Sequence, residues 1–164
     1  MTVILSIDPS SAKATKSNTG IVLIENGKLI DYWVVGYGVK GFKDWFDNNH
    51  SNLNYDVSIY EHFEARDNAK AKDNTVLETI AEIQKLIPSA EPFRNGGYKS
   101  DVPDELLKKL GLWKFGKSHH EDVRAAARLA IFYAMRSDIE DFITGVGELL
   151  NETIQRSKMA KESH

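Results

Sequence analysis

The first sixty residues carry short apolar runs, and later segments repeat their apolar positions every three or four residues. Residues 2–8 are rich in β-branched side chains and predict a buried strand that ends at Asp8, before the breaker Pro9-Ser10-Ser11. Residues 12–18 are a polar, basic loop, and 20–25 predict a second strand. Asn26-Gly27 is a strong hairpin signal, because both turn positions need positive φ. Residues 28–35 then return as a third strand, so the first three strands form an antiparallel meander. Residues 42–46 predict a short helix with Trp45 and Phe46 facing inward. A fourth strand over 56–60 delivers Glu61 at its end.

Val76, Ile80, Ile83 and Ile87 stand at helical spacing within 74–87, with Asn74 or Thr75 as cap and Pro88 beyond the end. A fifth strand is expected over 90–94, followed by a turn at Asn95-Gly96-Gly97. Pro103 opens a helix over 104–110, which Gly111 stops. Residues 119–136 predict a long helix and 138–157 another, weakened by Gly145 and Gly147. The order is three strands, helix, strand, helix, strand, helices: an α/β class with a mixed sheet.

The chain has 164 residues, 41% of them hydrophobic, which suits one domain over 1–164 with one core. It has no cysteine, so disulfides, thiolate zinc sites and cysteine nucleophiles are excluded. Any metal must be held by oxygen and imidazole. The N-terminus lacks a basic leader, and no apolar run approaches the roughly 18 residues of a membrane span. A soluble, cytoplasmic protein without a membrane partner is expected. The net charge is −3. Arg94, Lys99, Lys108, Lys109, Lys114, Lys117, Arg124 and Arg128 nonetheless crowd one third of the chain, before the acidic Asp138, Glu140, Asp141, Glu148 and Glu152. That pattern is either scattered solvated charge or one basic surface.

Three acidic positions stand out. Asp8 is either an ordinary turn residue or a ligand placed at a strand end. Glu61 is either a rim carboxylate or its partner. Ser118 is a plausible N-cap for Ser118-His119-His120-Glu121-Asp122. His119 and Asp122 fall about 60° apart on one helix face. Acids in a first turn also favour the helix dipole, which accounts for Glu121 and Asp122 but not for a His–Asp pair. The following Val123-Arg124-Ala125-Ala126-Ala127 is a good helix former. Its small side chains would also let the helix approach a sheet closely and bring Asp122 near Asp8 and Glu61. Converging carboxylates suit hard divalent ions, and two such ions about 3.5–4 Å apart serve both ends of a phosphodiester displacement. An imidazole among them binds manganese or moves a proton.

Ile7-Asp8-Pro9-Ser10 with Thr19-Gly20, then Ile59-Tyr60-Glu61-His62-Phe63, then His119-His120-Glu121-Asp122-Val123-Arg124-Ala125-Ala126 resemble, in order, the motifs of the RuvC family of Holliday junction resolvases. The resemblance spans roughly residues 3–135. It implies an RNase H-like fold with a five-stranded mixed sheet, a homodimer, and paired nicking of four-way or other branched DNA. It implies two Mg2+ ions per site, with Mn2+ able to substitute, held by Asp8, Glu61, His119 and Asp122, with Asp8 bridging. Ser10 stands where the family usually has glycine, and the loop after Asp8 is long. That loop and the low net charge point to a bacteriophage-type branch, with looser selectivity among branched DNAs.

Lys13, Lys16, Lys99, Lys114, Lys117 and Arg124 are candidate phosphate contacts, or solvated charges. Phe63 is either a core residue or a wedge against an unpaired base. Trp33, Trp45 and Trp113 are assigned to packing, and Glu64 is an alternative to Glu61 should the strand run further. The helix over 74–87 covers the sheet or serves a dimer. The competing functions are a nuclease of the same fold acting on RNA–DNA hybrids or structured RNA, a sugar-kinase-like phosphate binder, and a non-catalytic protein that binds branched DNA.

Overall fold

The computed structural model describes residues 1–11, 18–64, 75–94, 98–116 and 120–162. Five strands form one sheet in the order β3-β2-β1-β4-β5. β1 (Val3–Asp8), β2 (Thr19–Glu25) and β3 (Lys28–Val35) are the antiparallel meander, and β4 (Val57–Glu61) and β5 (Glu91–Phe93) continue it in parallel. Asn26 and Gly27 take φ of 48° and 87°, the two positive values that a tight hairpin turn demands.

The helices are α1 (Gly38–Asn49), α2 (Val76–Leu86), α3 (Tyr98–Asp101), α4 (Asp104–Lys109), α5 (His120–Arg136) and α6 (Glu140–Glu162). α1 is longer than the 42–46 expected. Tyr37, at φ 63°, turns the chain into it, a backbone conformation that its side chain does not announce. α3 has no apolar periodicity and was not anticipated. Thr75 occupies the N-cap position of α2; Asn74, the 95–97 turn and the expected cap Ser118 lie outside the described residues. α6 runs beyond the expected 157, and its two glycines differ in role. A β-carbon on Gly145 would sit 2.2 Å from the Asn26 carbonyl oxygen, so that glycine lets α6 lie against the β2–β3 turn, whereas Gly147 faces open space.

Side-chain alternation divides the core between the two faces of the sheet. Ile4, Val22, Ile24 and Ile59 point to the face covered by α5, where Val123, Ala126, Ala127 and Ala130 are fully buried. Leu5, Ile7, Ile21, Leu23 and Tyr60 point to the other face, against Phe42 and Trp45 of α1 and Ile80 and Ile83 of α2. α2 therefore covers the sheet, as one of its two readings held. Trp33 meets Trp45 edge to face at 5.3 Å, and Trp113 packs on the first core, so all three tryptophans contribute to packing. Among the described residues, no helix is long and apolar enough to cross a membrane.

Candidate active site

The register of the sheet brings the first two carboxylates together. β1 and β4 run parallel, with Ile7 opposite Tyr60, so Asp8 and Glu61 leave adjacent strands at the same carboxyl-terminal edge. Asp8 shares its parity with Ile4, and Glu61 with Ile59. Both side chains therefore stand on the face that α5 covers.

Asp122 arrives through a close backbone contact. Gly20 is the β2 partner of Asp8. A β-carbon on Gly20 would lie 2.2 Å from the carbonyl oxygen of Asp122 and 2.6 Å from the amide nitrogen of Val123. Hydrogen alone fits there, so the first turn of α5 rests directly on β2. The alanines expected to permit this approach do so further along the helix, and the glycine of Thr19-Gly20 permits it at the site.

Asp8 is half-buried, and the loss of water around its carboxyl is the largest influence raising it well above the usual carboxylate range. A hydrogen bond with Glu61 raises it further, as do the charges of Glu61 and then Asp122. These influences all favour the neutral form of the Asp8 carboxyl. Among the described residues, no three His, Asp or Glu side chains stand together as a group that could hold a metal ion. Asp8 and Glu61 are a hydrogen-bonded carboxyl pair, with the charge of a third acid, Asp122, bearing on Asp8. His119, the predicted fourth ligand, lies outside the described residues. The chemistry of the three acids nonetheless suits a hard divalent ion, since all three offer oxygen ligands.

Two hydroxyl pairs hold the turn that follows Asp8. The Ser10 backbone N–H donates to Thr19 Oγ1 at 3.1 Å, and the two side-chain oxygens are 2.8 Å apart. Ser10 and Thr19 are both buried. Ser11 Oγ lies 2.8 Å from Thr75 Oγ1 and ties the same turn to the entrance of α2. The sequence marked Ser10 only as a departure from glycine, and the signal for its role was Thr19 at the start of the next strand.

Glu64 does not replace Glu61. The strand stops at Glu61, while the exposed Glu64 pairs with Arg94 and lies 3.6 Å from His62. Phe63 is half-buried and packs on the second core. Arg124 lies over the Trp113 ring, its guanidinium carbon 3.5 Å from the centroid, and donates to the Trp113 carbonyl at 2.9 and 3.2 Å. Arg128 pairs with Asp104. Lys114 is exposed. Lys13, Lys16 and Lys117 lie outside the described residues, as does the side chain of Lys99, whose backbone belongs to α3.

No family model matches the chain, and no curated protein matches it. Among solved structures, T. thermophilus RuvC in complex with a Holliday junction substrate superposes with a TM-score of 0.65 at 11% identity, over 86% of this chain and 98% of that one. At that identity the likeness speaks for architecture. With its meander, two parallel strands and flanking helices, this chain has an RNase H-like fold similar to that of the resolvase.

Proposed function

We propose that residues 1–164 act as one divalent-cation-dependent endonuclease domain that nicks branched DNA, four-way junctions above all. The observation that carries this reading is the convergence of Asp8 and Glu61 at one sheet edge, the two joined by a hydrogen bond, with the charge of Asp122 bearing on Asp8. A buried acid cluster is costly without a counter-charge. It sits at the carboxyl-terminal edge of parallel strands, where α/β sheets place their ligands.

Asp8, Glu61, His119 and Asp122 would hold the ions. Two magnesium ions, with manganese as substitute, supply Lewis acidity for an activated water and a leaving alkoxide. To hold an ion, Asp8 would first release its proton to solvent. Glu61, Asp122 and His119 would complete the set of donors around the ions. Lys13, Lys16, Lys99, Lys114, Lys117 and Arg124 hold backbone phosphates, with Phe63 at the mouth of the cleft. Two copies related by a twofold axis would place two such sites on symmetric strands of a junction. The long loop after Asp8 and the acidic balance fit a bacteriophage-type resolvase working in its host's cytoplasm.

The decisive experiment is magnesium-dependent nicking of a synthetic four-way junction, with flaps and RNA–DNA hybrids as competing substrates and Asp8→Asn as control. Paired nicks in the junction, absent from Asp8→Asn, are expected. Preferential hybrid cutting, or undiminished nicking by Asp8→Asn, would overturn the assignment.

A further inference from the structure

β3 leads to an exposed aromatic side chain at the sheet edge that carries the acids. Asp8 is paired with Gly20, and Gly20 with Val34. Two strand spacings therefore put Val34 about 10 Å from Asp8. β2 is antiparallel to both of its neighbours, so β3 ends at the edge where β1 ends, with Val35 opposite Thr19. Tyr37 follows three residues past Val34, at most about 10 Å further. Its ring stands within a few nucleotides of anything held at Asp8.

Tyr37 is 76% exposed. Among the described side chains it is the only exposed Phe, Tyr or Trp. Phe63, the residue whose sequence position suggested a wedge, is half-buried and packs on the second core. It therefore has less free surface to offer a base than Tyr37 has.

The backbone that presents Tyr37 is strained and fixed. Its φ of 63° lies in the left-handed region, where the β-carbon of a bulky residue crowds the backbone. Gly38 follows at φ 51° and is buried. The Tyr37 carbonyl accepts from the Gly41 N–H at 3.2 Å. A β-carbon on Gly41 would lie 1.6 Å from the Gly36 carbonyl oxygen, so the first turn of α1 rests on the residue before Tyr37. Glycine would occupy position 37 without strain, and tyrosine buries little there. Strain kept at a rigid position without a packing return points to a ligand for the ring. The first charged residue along α1 is Lys40, which is also exposed. An aromatic face with a cation nearby suits a nucleobase and its phosphate.

We propose that Tyr37 stacks on a base that has left its pair at a branch point. A base stacked within a continuous duplex has no free face, so this contact favours branched over linear DNA. The proposal rests on the nuclease reading only in taking DNA as the ligand.

The test is binding of the full chain in EDTA to a four-way junction, a fork with unpaired arms and a linear duplex. Tyr37→Ala should weaken binding to the junction and the fork by about 5-fold to 150-fold, the range that one base–aromatic stack is worth. Duplex binding should change by less than about twofold. The salt dependence of junction binding should stay as in the parent, since no phosphate contact is lost. Tyr37→Phe keeps the ring face and should bind as the parent does. Tyr37→Gly should bind as weakly as Tyr37→Ala but melt at a higher temperature than it, because glycine relieves the left-handed strain. An equal loss on the duplex overturns the proposal, as does Tyr37→Phe binding as weakly as Tyr37→Ala. So does Tyr37→Gly melting no higher than Tyr37→Ala, or a wild-type protein without preference for branched DNA. Wild-type protein that prefers branched DNA but never nicks with magnesium removes the nuclease reading and leaves the Tyr37 contact standing.

Discussion

The backbone of Asp122 lies on Gly20 with room for a hydrogen and nothing larger. Gly20 is itself the strand partner of Asp8, so one contact sets the separation of two of the three clustered acids. Gly20→Ala should lift the first turn of α5 off β2. We expect a loss of about 1–3 kcal/mol, the usual cost of overpacking, read by urea unfolding. Magnesium-dependent nicking should fall far more than stability does. A variant with wild-type nicking would show that Asp122 need not sit where α5 places it.

Asp8 makes stability depend on pH and on metal. Its folded-state carboxyl is raised well above the ordinary value of 3.8. The folded protein therefore keeps a proton that the unfolded chain has already lost. That contribution is fully present below the ordinary carboxylate value and disappears as pH rises through the raised one. In EDTA, melting temperature should fall across this window, and Asp8→Asn should flatten the fall and melt higher than the parent at neutral pH. Magnesium binds the charged form, so its stabilising effect should grow with pH and vanish in Asp8→Asn. Identical pH profiles for the two proteins would contradict the retained proton.

The hydroxyl pair behind the Asp8 turn is open to a direct test. Thr19→Val keeps the shape but leaves the buried Ser10 N–H without its acceptor and Ser10 Oγ without its partner. A buried donor left unpaired costs about 1–3 kcal/mol. Thr19→Ser should restore most of that loss in chemical denaturation. If Thr19→Val unfolds at the parent's midpoint, the pair does not secure the turn.

The two glycines of α6 should respond oppositely. Gly145→Val drives a side chain into Asn26 and should destabilise by about 1–3 kcal/mol. Gly147→Ala meets nothing within 4 Å and should stabilise by about 0.5–1 kcal/mol through helix propensity. Paired thermal melts of the single variants check both signs, and neither substitution should change nicking at saturating magnesium.

Much of the fold was legible in local pattern. Asn26-Gly27 specified the hairpin because few residue pairs accept two positive φ values. Alternation along β1, β2 and β4 specified which side chains share a face. It put Asp8 and Glu61 on the same one as soon as their strands were known to be neighbours. The ends of elements were less legible. α1 begins at Tyr37 in a left-handed conformation that no side-chain pattern encodes, and α3 is too short to show a period.

The site divides along the same line. The sequence by itself determined that acids stand at two strand ends and in the first turn of a helix, since each lies where an apolar run stops or begins. Only the tertiary structure decided that Asp8 and Glu61 meet in a hydrogen bond, that Asp122 bears on Asp8, and that Glu64 turns away to Arg94. Those outcomes depend on strand order and on a glycine far from the helix it receives. Periodicity reports the angle of a side chain about its own element, whereas the distance between elements is set by what their facing atoms allow.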